Sequence, residues 1–414
     1  MSTNELATYL FPVIEPTSHF PIVDLCTKWA LLQKARQDRC IAAMMSGPTQ
    51  IIRDWPVQRR IPSDGVPFDL FALSDNWCLK FLRFTKRQIC EMAFLLAIPD
   101  HFPHRNFCPP TTALSLVCFQ LAWPPHLKDC IHWFGRGRGW LSTIFNHTCV
   151  HISRQFSTML RWNDDHLTPH RLSQYCAKTQ ERGEPSGLVW GFIDGTHKQT
   201  CRPRPESADQ EIFYSGHKHM HSVQFLSVAT PDGLISCLEG PYEGRKGDWG
   251  MWKDGLQELV LEKAWDDDGD RVYLFGDRAF YLEEGVIGAF QGRNGVALTE
   301  DESVFNAYMA KQRMAVEWGF GKVMQLFQFS NVKLMMKFGL SPIAPYYIVS
   351  VLLTNCHTCY FNSKTSMSFD CAPPDIRDYF GLTQDGKEEL DLYLQLVLPD
   401  APIENPVANE AAEE

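Results

Sequence analysis

The sequence predicts an α/β protein, with a mixed-sheet core behind an N-terminal helical region. Three observations predict it. Apolar residues recur at helical spacing between residues 85 and 161. From Leu188 onward the chain switches to short apolar runs bounded by Gly, Pro and Asp, which read as strands. After Ser303 the helical pattern returns. A chain of 414 residues, 44% of them hydrophobic, can bury a large core and hold more than one domain.

Five segments follow from the composition shifts. They are an N-terminal extension (1–75), a helical, helix-turn-helix-like domain (76–162), a polar linker (163–187), a strand-led domain (188–362), and a C-terminal extension ending in an acidic tail (363–414). The net charge of −10 argues against a basic coat over the whole surface but leaves local patches open. No apolar run is long enough to span a membrane, and residues 1–10 lack the pattern of a signal peptide. A protein inside the cell is therefore expected. The 14 cysteines are scattered. Cys356-His357-Thr358-Cys359 is a lone pair, better read as buried thiols in a reducing compartment than as half of a zinc site.

In chain order, residues 24–45 carry Leu25, Trp29, Leu32 and Ala35 at helical spacing. Thr85-Lys86-Arg87-Gln88 is a capping box opening a helix that Pro99 ends. Residues 101–110 read as a loop, Thr111 to Leu121 as a second helix, and Leu127 to Phe134 as a short third. A Gly-rich turn (135–139) then leads into a longer helix, Trp140 to Arg161. This is the layout of a helix-turn-helix, and equally of an ordinary helical cap. Arg136, Arg138, Arg154 and Arg161 would give it a positive rim suited to phosphates.

Leu188 to Ile193 is an apolar run leading into Asp194-Gly195, which reads as a strand with a turn at its end. Lys218 to Thr230 and Gly233 to Gly240, joined by Pro231-Asp232-Gly233, form a hairpin. Asp248 falls at the first turn of a helix running to Lys263. Asp266 to Asp268 is a solvated loop. Arg271 to Asp277 is a second apolar strand that ends on Asp, and 295–299 reads as a further short strand. A helix from Ser303 to about Gln325 carries Glu317. Residues 340–359 should be a buried helix and 384–397 an amphipathic one, and the acidic end from 401 has the composition of a disordered tail.

Two parallel strands ending in Asp194 and Asp277 would bring both carboxylates to one rim of a sheet, where a helix can offer Glu317. Such a set can hold two divalent cations, and oxygen-only ligands favour Mg²⁺ or Mn²⁺ over zinc. Two such ions can activate water and stabilise a leaving oxygen in phosphodiester cleavage.

The ordered set Ile193-Asp194-Gly195-Thr196-His197, Tyr214-Ser215-Gly216-His217-Lys218, Gly276-Asp277, Arg313 with Val316-Glu317, and Phe320-Gly321-Lys322 resembles the PIF/Harbinger group of DDE transposases and the Harbinger transposase-derived nucleases. The likeness covers 188–330 well and 80–160 more weakly. It implies an RNase H-like core with a DDE metal site acting on DNA. Asp194, Asp277 and Glu317 would be the catalytic triad, and Asp248 matches an additional acidic position among the metal ligands. It further implies an endonuclease or transposase capable of strand transfer, in the nucleus and also the cytoplasm, with DNA, a Myb-like DNA-binding protein and copies of itself as partners. The alternative is a domesticated, inactive DNA-binding or scaffold protein.

Other residues carry weaker signals. His197 and Lys198, beside Asp194, are candidates to contact DNA, as are Lys322, Arg136 and Arg138. His217, His219 and His221 alternate, so on a strand they would share one face, as a polar edge rather than a zinc site.

Overall fold

In the computed structural model, which describes residues 67–398 apart from 204–209, 293–296, 333–335 and 339, the described residues all fall within one unit, 43–414. Ser74 caps α1 (Asp75–Leu82), accepting from the Trp77 amide. Thr85 and Gln88 form the expected capping box on α2 (Lys86–Leu95). The stretch read as a loop holds a small hairpin, β1 (His101–Phe102) and β2 (Asn106–Phe107). Next come α3 (Pro110–Ala122), α4 (Leu127–Phe134) and α5 (Arg138–Arg161). Gly135 closes α4 in the left-handed conformation (φ 59°) that glycine adopts without a steric cost. The short helix, Gly turn and long helix are as expected.

Residues 163–187 are not a plain linker. They contain α6 (Pro169–Glu181), started by Thr168 and Pro169, whose Leu172, Tyr175 and Cys176 enter the core. The polar composition misled because α6 shows the core only one narrow stripe.

The sheet is built on β3 (Val189–Gln199). It pairs in parallel with β7 (Tyr273–Phe275) on one side and antiparallel with β5 (Met220–Ala229) on the other. β6 (Ile235–Glu243) and the short β4 (Tyr214–Ser215), preceded by the one-turn α7 (Gln210–Phe213), both pair with β5. β8 (Val286–Ile287) extends the sheet in parallel beyond β7. The fold is thus mixed α/β with a mixed sheet, consistent with an RNase H-like core. The strand expected at 295–299 falls partly outside the described residues, and 297–299 form no strand.

Three local expectations change. The strand does not turn after Asp194. It continues to Gln199, because β5 pairs with it from Asp194↔Ser227 to Gln199↔Ser222. The three histidines do not share a strand face, since His217 and His219 lie in the turn before β5, with His219 at φ 50°. The helix at Asp248 breaks into α8 (Asp248–Asp254) and α9 (Leu256–Lys263) at Gly255, where a Cβ would strike the Tyr242 hydroxyl.

The later helices are α10 (Glu300–Leu326), α11 (Ile343–Phe361), α12 (Lys364–Phe369), α13 (Ile376–Tyr379) and α14 (Gln384–Val397). Thr299 and Glu302 cap α10 reciprocally. α11 is buried almost throughout, and its Asn355 side chain bonds both the amide and the carbonyl of Ile235, pinning β6. Cys356 and Cys359 sit on α11 as free thiols, like every cysteine described. α5 packs against both α11 and β6. Among the described residues no helix is long and apolar enough to cross a membrane. The helix expected at 24–45 and the tail from 401 lie outside the described residues.

The hairpin aspartate does more than turn the chain. Asp232 is wholly buried, and its carboxylate accepts from Tyr175 (2.5 Å), His166 (3.0 Å), Arg171 (3.4 Å), Thr230 (2.6 Å) and the Leu234 amide (3.2 Å). It ties the β5–β6 turn to α6. Burial alone would raise this carboxyl, but the bonds and charges of His166 and Arg171 hold it down at about 2. A depressed carboxyl adds stability above its unfolded value of ~3.9, and loses it as pH falls through the folded one. Asp232→Asn should therefore cost about 2–4 kcal/mol at pH 7. Denaturant melts should show the gap closing between roughly pH 4 and pH 2, where the wild-type carboxylate itself protonates. A gap independent of pH would show that the charge is not what holds the clasp.

Candidate metal centre

The register of β3 on β7 determines the site. Phe192 is opposite Phe275, the last residue of β7. Asp194 and Asp277 each lie two residues beyond that pair. Successive side chains of a strand alternate, so both point the same way past the end of the parallel ladder. Among the described residues, the edge of β3 has no strand partner beyond Phe275, and Asp248, the first residue of α8, fills the opening. One oxygen each of Asp194, Asp248 and Asp277 lies within 4.8 Å of the others.

Gly195 makes this approach possible. It points away from Asp194, and a Cβ there would collide with Asp248 Oδ1 and press on Met251 Cε. The Asp-Gly pair thus acts through packing rather than as a turn. The Gly195 amide donates to Asp194 Oδ1 (3.0 Å), and the Ala279 amide donates to Asp277 Oδ1 (2.8 Å), which orients both carboxylates.

Glu317 is not within the cluster. It lies on α10, with its side chain 57% exposed, and joins the site through Arg313 one turn earlier. Arg313 Nη1 donates to Asp194 Oδ2 and its Nη2 to Glu317 Oε1, each at 3.2 Å. The structure therefore brings Asp194, Asp248 and Asp277 together directly and attaches Glu317 by a guanidinium. Sequence reasoning held Arg313 only as part of a motif. Its spacing of four residues from Glu317 was the available signal, since i,i+4 side chains meet on a helix.

The electrostatics are those of crowded carboxylates. Burial, opposed by Arg313 and reinforced by Asp277 and Asp248, raises Asp194 to about 6. Burial and Asp277 also raise Asp248, against the pull of Lys218 and His217. Those two residues, from the turn before β5, are a lysine and an imidazole beside the site that strand alternation had hidden. Burial first, then Lys218 and His217, lower His197 to about 4, and its Nδ1 meets Ser222 Oγ at 2.9 Å. Exposed Tyr281 meets the Trp249 ring edge-on at 4.8 Å, next to Asp248 in sequence. A cleft lined by Asp277, Arg278, Asn306 and Arg313 opens alongside.

Two lysines expected to meet DNA are engaged internally. Lys198 is buried, with its ammonium 4.3 Å over the Tyr347 ring and 3.3 Å from Met324 Sδ, and burial lowers it to about 8. Lys322 donates to Thr358 Oγ1 (2.9 Å) and the Asn362 carbonyl (2.8 Å). In the helical region Arg136 stacks on Trp140, and Arg161 is bonded to Glu239 and the Gly255 carbonyl. Arg138, at the start of α5, is exposed.

The donor set fits a hard divalent cation. Three half-buried carboxylates converge, burial and then crowding raise the proton affinities of Asp194 and Asp248, and the Arg313 guanidinium bonds Asp194. Residues 193–355 match the family model described as DDE superfamily endonuclease, and Asp194, Asp248, Asp277, Arg313 and Glu317 all lie within the matched segment. The match supports a DDE transposase-type nuclease, a class that uses divalent metal. No curated protein and no solved structure matches the chain significantly.

Crowding gives a test of the site that needs no turnover. Without a cation, Asp194→Asn relieves repulsion and should keep or raise the melting temperature, by at most about 3 kcal/mol of stability. Mn²⁺ should stabilise the wild type and not this variant, because a ligand stabilises only the state that binds it. Gly195→Ala should also lose the Mn²⁺ response, by displacing Asp248. Equal metal-induced shifts in all three proteins would remove the cluster as a metal centre.

Proposed function

We propose that the chain is a metal-dependent DNA endonuclease or transposase of the PIF/Harbinger type, cleaving phosphodiester bonds by a two-metal DDE mechanism. The observation that carries this is the convergence of Asp194, Asp248 and Asp277 inside the segment that matches the DDE endonuclease family. Asp194, Asp277 and Glu317 are the proposed catalytic residues, and Asp194, Asp248, Asp277 and Glu317 the proposed ligands of Mg²⁺ or Mn²⁺. Two bound cations would supply water activation and charge stabilisation on the leaving oxygen.

The chain's own residues account for the rest. Arg313 holds Asp194 in place and partly neutralises it, and carries Glu317 on the same guanidinium. Lys218 puts positive charge beside Asp248, with the His217 imidazole as a further donor, where a phosphate would lie. His197, with its low proton affinity, is neutral at pH 7 and offers a polar ring rather than a charge. Arg136 and Arg138 at the start of α5 are the proposed contacts of a helix-turn-helix-like region with the DNA backbone. The family resemblance adds strand transfer, a nuclear site of action, a Myb-like DNA-binding partner and self-association to this proposal.

Supercoiled-plasmid nicking with Mg²⁺ or Mn²⁺ tests it. The wild type should convert plasmid to the nicked form. Asp194→Asn and Asp277→Asn should each lower the rate at least about a hundredfold, the scale set by losing one charge-stabilising group. Both should still bind DNA, whose affinity comes mainly from basic groups. A wild type that binds DNA but never nicks it would instead point to the domesticated binding protein.

A further inference from the structure

A cationic surface lies at the β1–β2 hairpin and the adjoining face of α5. α5 spans 24 residues without one Asp or Glu, in a chain with 49 of them. His147, His151 and Arg154 follow at i, i+4 and i+7, so they share one face of that helix. The hairpin packs there, and His101, Pro103, His147, His151 and Arg154 line a common cleft. His104, at the hairpin tip, is near enough that its charge, with that of Arg154, adds to burial in lowering His147.

The tip is conformationally costly. Pro103 to Asn106 is a tight turn closed by the Asn106 amide on the Pro103 carbonyl. Its two central residues, His104 (φ 62°) and Arg105 (φ 56°), are both left-handed. A turn with positive φ at both centres favours Asn-Gly. Here it carries an imidazole and a guanidinium instead, both exposed. Among the described residues, the side chains of His104, Arg105, His147 and Arg154 make no hydrogen bond or ion pair. The nearby carboxylate of Asp100 is taken by His101 Nδ1 at 2.6 Å. The local sequence thus departs from the easiest turn residues and leaves the Arg105 guanidinium without an anionic partner. Strain retained at an exposed tip is best explained by what the tip presents.

We propose that His104, Arg105, His147 and Arg154 form a second nucleic-acid contact surface, separate from the carboxylate cluster, which grips the phosphate backbone of duplex DNA. Arg105 and Arg154 supply fixed charge suited to phosphate oxygens, and the imidazoles supply N–H donors. A repeating anion matches cations spread over a cleft and a helix face better than a single ion would. The inference rests on DNA being the substrate and adds where, away from the cleavage site, the duplex is held.

The hairpin allows stability and binding to be separated. In His104→Asn with Arg105→Gly the turn receives its favoured residues, so the melting temperature should hold or rise. Arg154→Gln is a second variant, on the exposed face of α5. Binding of the full chain to a duplex of about 30 base pairs is measured by fluorescence anisotropy in chelator over a range of salt. Each variant should weaken binding about three- to tenfold, and the salt slope should fall by about 1 per cation removed. Wild-type affinity and slope in both variants overturn the proposal, as does displacement of DNA by poly-glutamate at equal charge. If the wild type nicks and binds DNA while both variants bind equally well, this surface fails and the proposed function stands. If the wild type neither binds nor nicks, both fail.

Discussion

Parallel pairing of β3 with β7 is the constraint from which the site follows. Phe192 and Phe275 are opposite each other and buried, so neither strand can slip without exposing an aromatic ring. A slip by one residue would also turn Asp194 or Asp277 to the other face. β5 secures β3 from the other side along eight consecutive pairs, from Phe192 to Gln199. The apolar residues of the two central strands therefore do not only fill the core. They fix the position of two charged groups at the end of the parallel ladder, where water and a cation can reach.

That arrangement is held against its own repulsion. Three carboxylates within 4.8 Å of one another favour protonation or a counter-ion, and burial, reinforced by this crowding, raises the proton affinities of Asp194 and Asp248. Arg313 answers part of the charge from α10, which its capping box and 27-residue length make a firm platform. Asp248 is kept in place differently, by the space that Gly195 leaves and by its position at the start of α8, where helix amides favour a negative group. Positive charge near the site therefore comes from defined elements rather than from the surface as a whole. It is consistent with a chain that is acidic overall yet has a long helix free of carboxylates.

How much of this was legible depended on the range of the interaction concerned. Capping at Thr85, the Pro231-Asp232-Gly233 hairpin, the Gly135 stop and the strand preceding Asp277 are decided within a few residues, and the structure agrees with each. Asp194-Gly195 was misread because its signal is ambiguous locally. The pair turns a free chain, but here β5 takes up the backbone groups and Gly195 is needed for Asp248. From local pattern alone Asp248 read as a helix-start aspartate, and only the family resemblance put it among the metal ligands, since its partners lie far away in sequence. Lys198 and Lys322 looked like surface cations, but Tyr347, Met324, Thr358 and Asn362 come from later helices and enclose them. Glu317 was placed on the right helix, but its distance from the cluster depends on where Arg313 inserts.

Two places held against local preference point the same way. At the sheet end, carboxylates are crowded where apolar residues would pack without conflict. At the β1–β2 tip, His104 and Arg105 occupy left-handed positions that Asn and Gly would fill more easily. Neither choice helps the fold, and networks elsewhere offset them. One is the Asp232 clasp on α6. Another is the bridge from half-buried Arg377 to buried Glu91, joining α2 to α13 with a further bond from Tyr360. Those networks pair the carboxylates they bury with cationic side chains. The crowded carboxylates and the hairpin cations face outward with their charge unanswered or only partly answered. Opposite signs left incomplete at two surfaces are what a ligand carrying both phosphates and bound cations would complete.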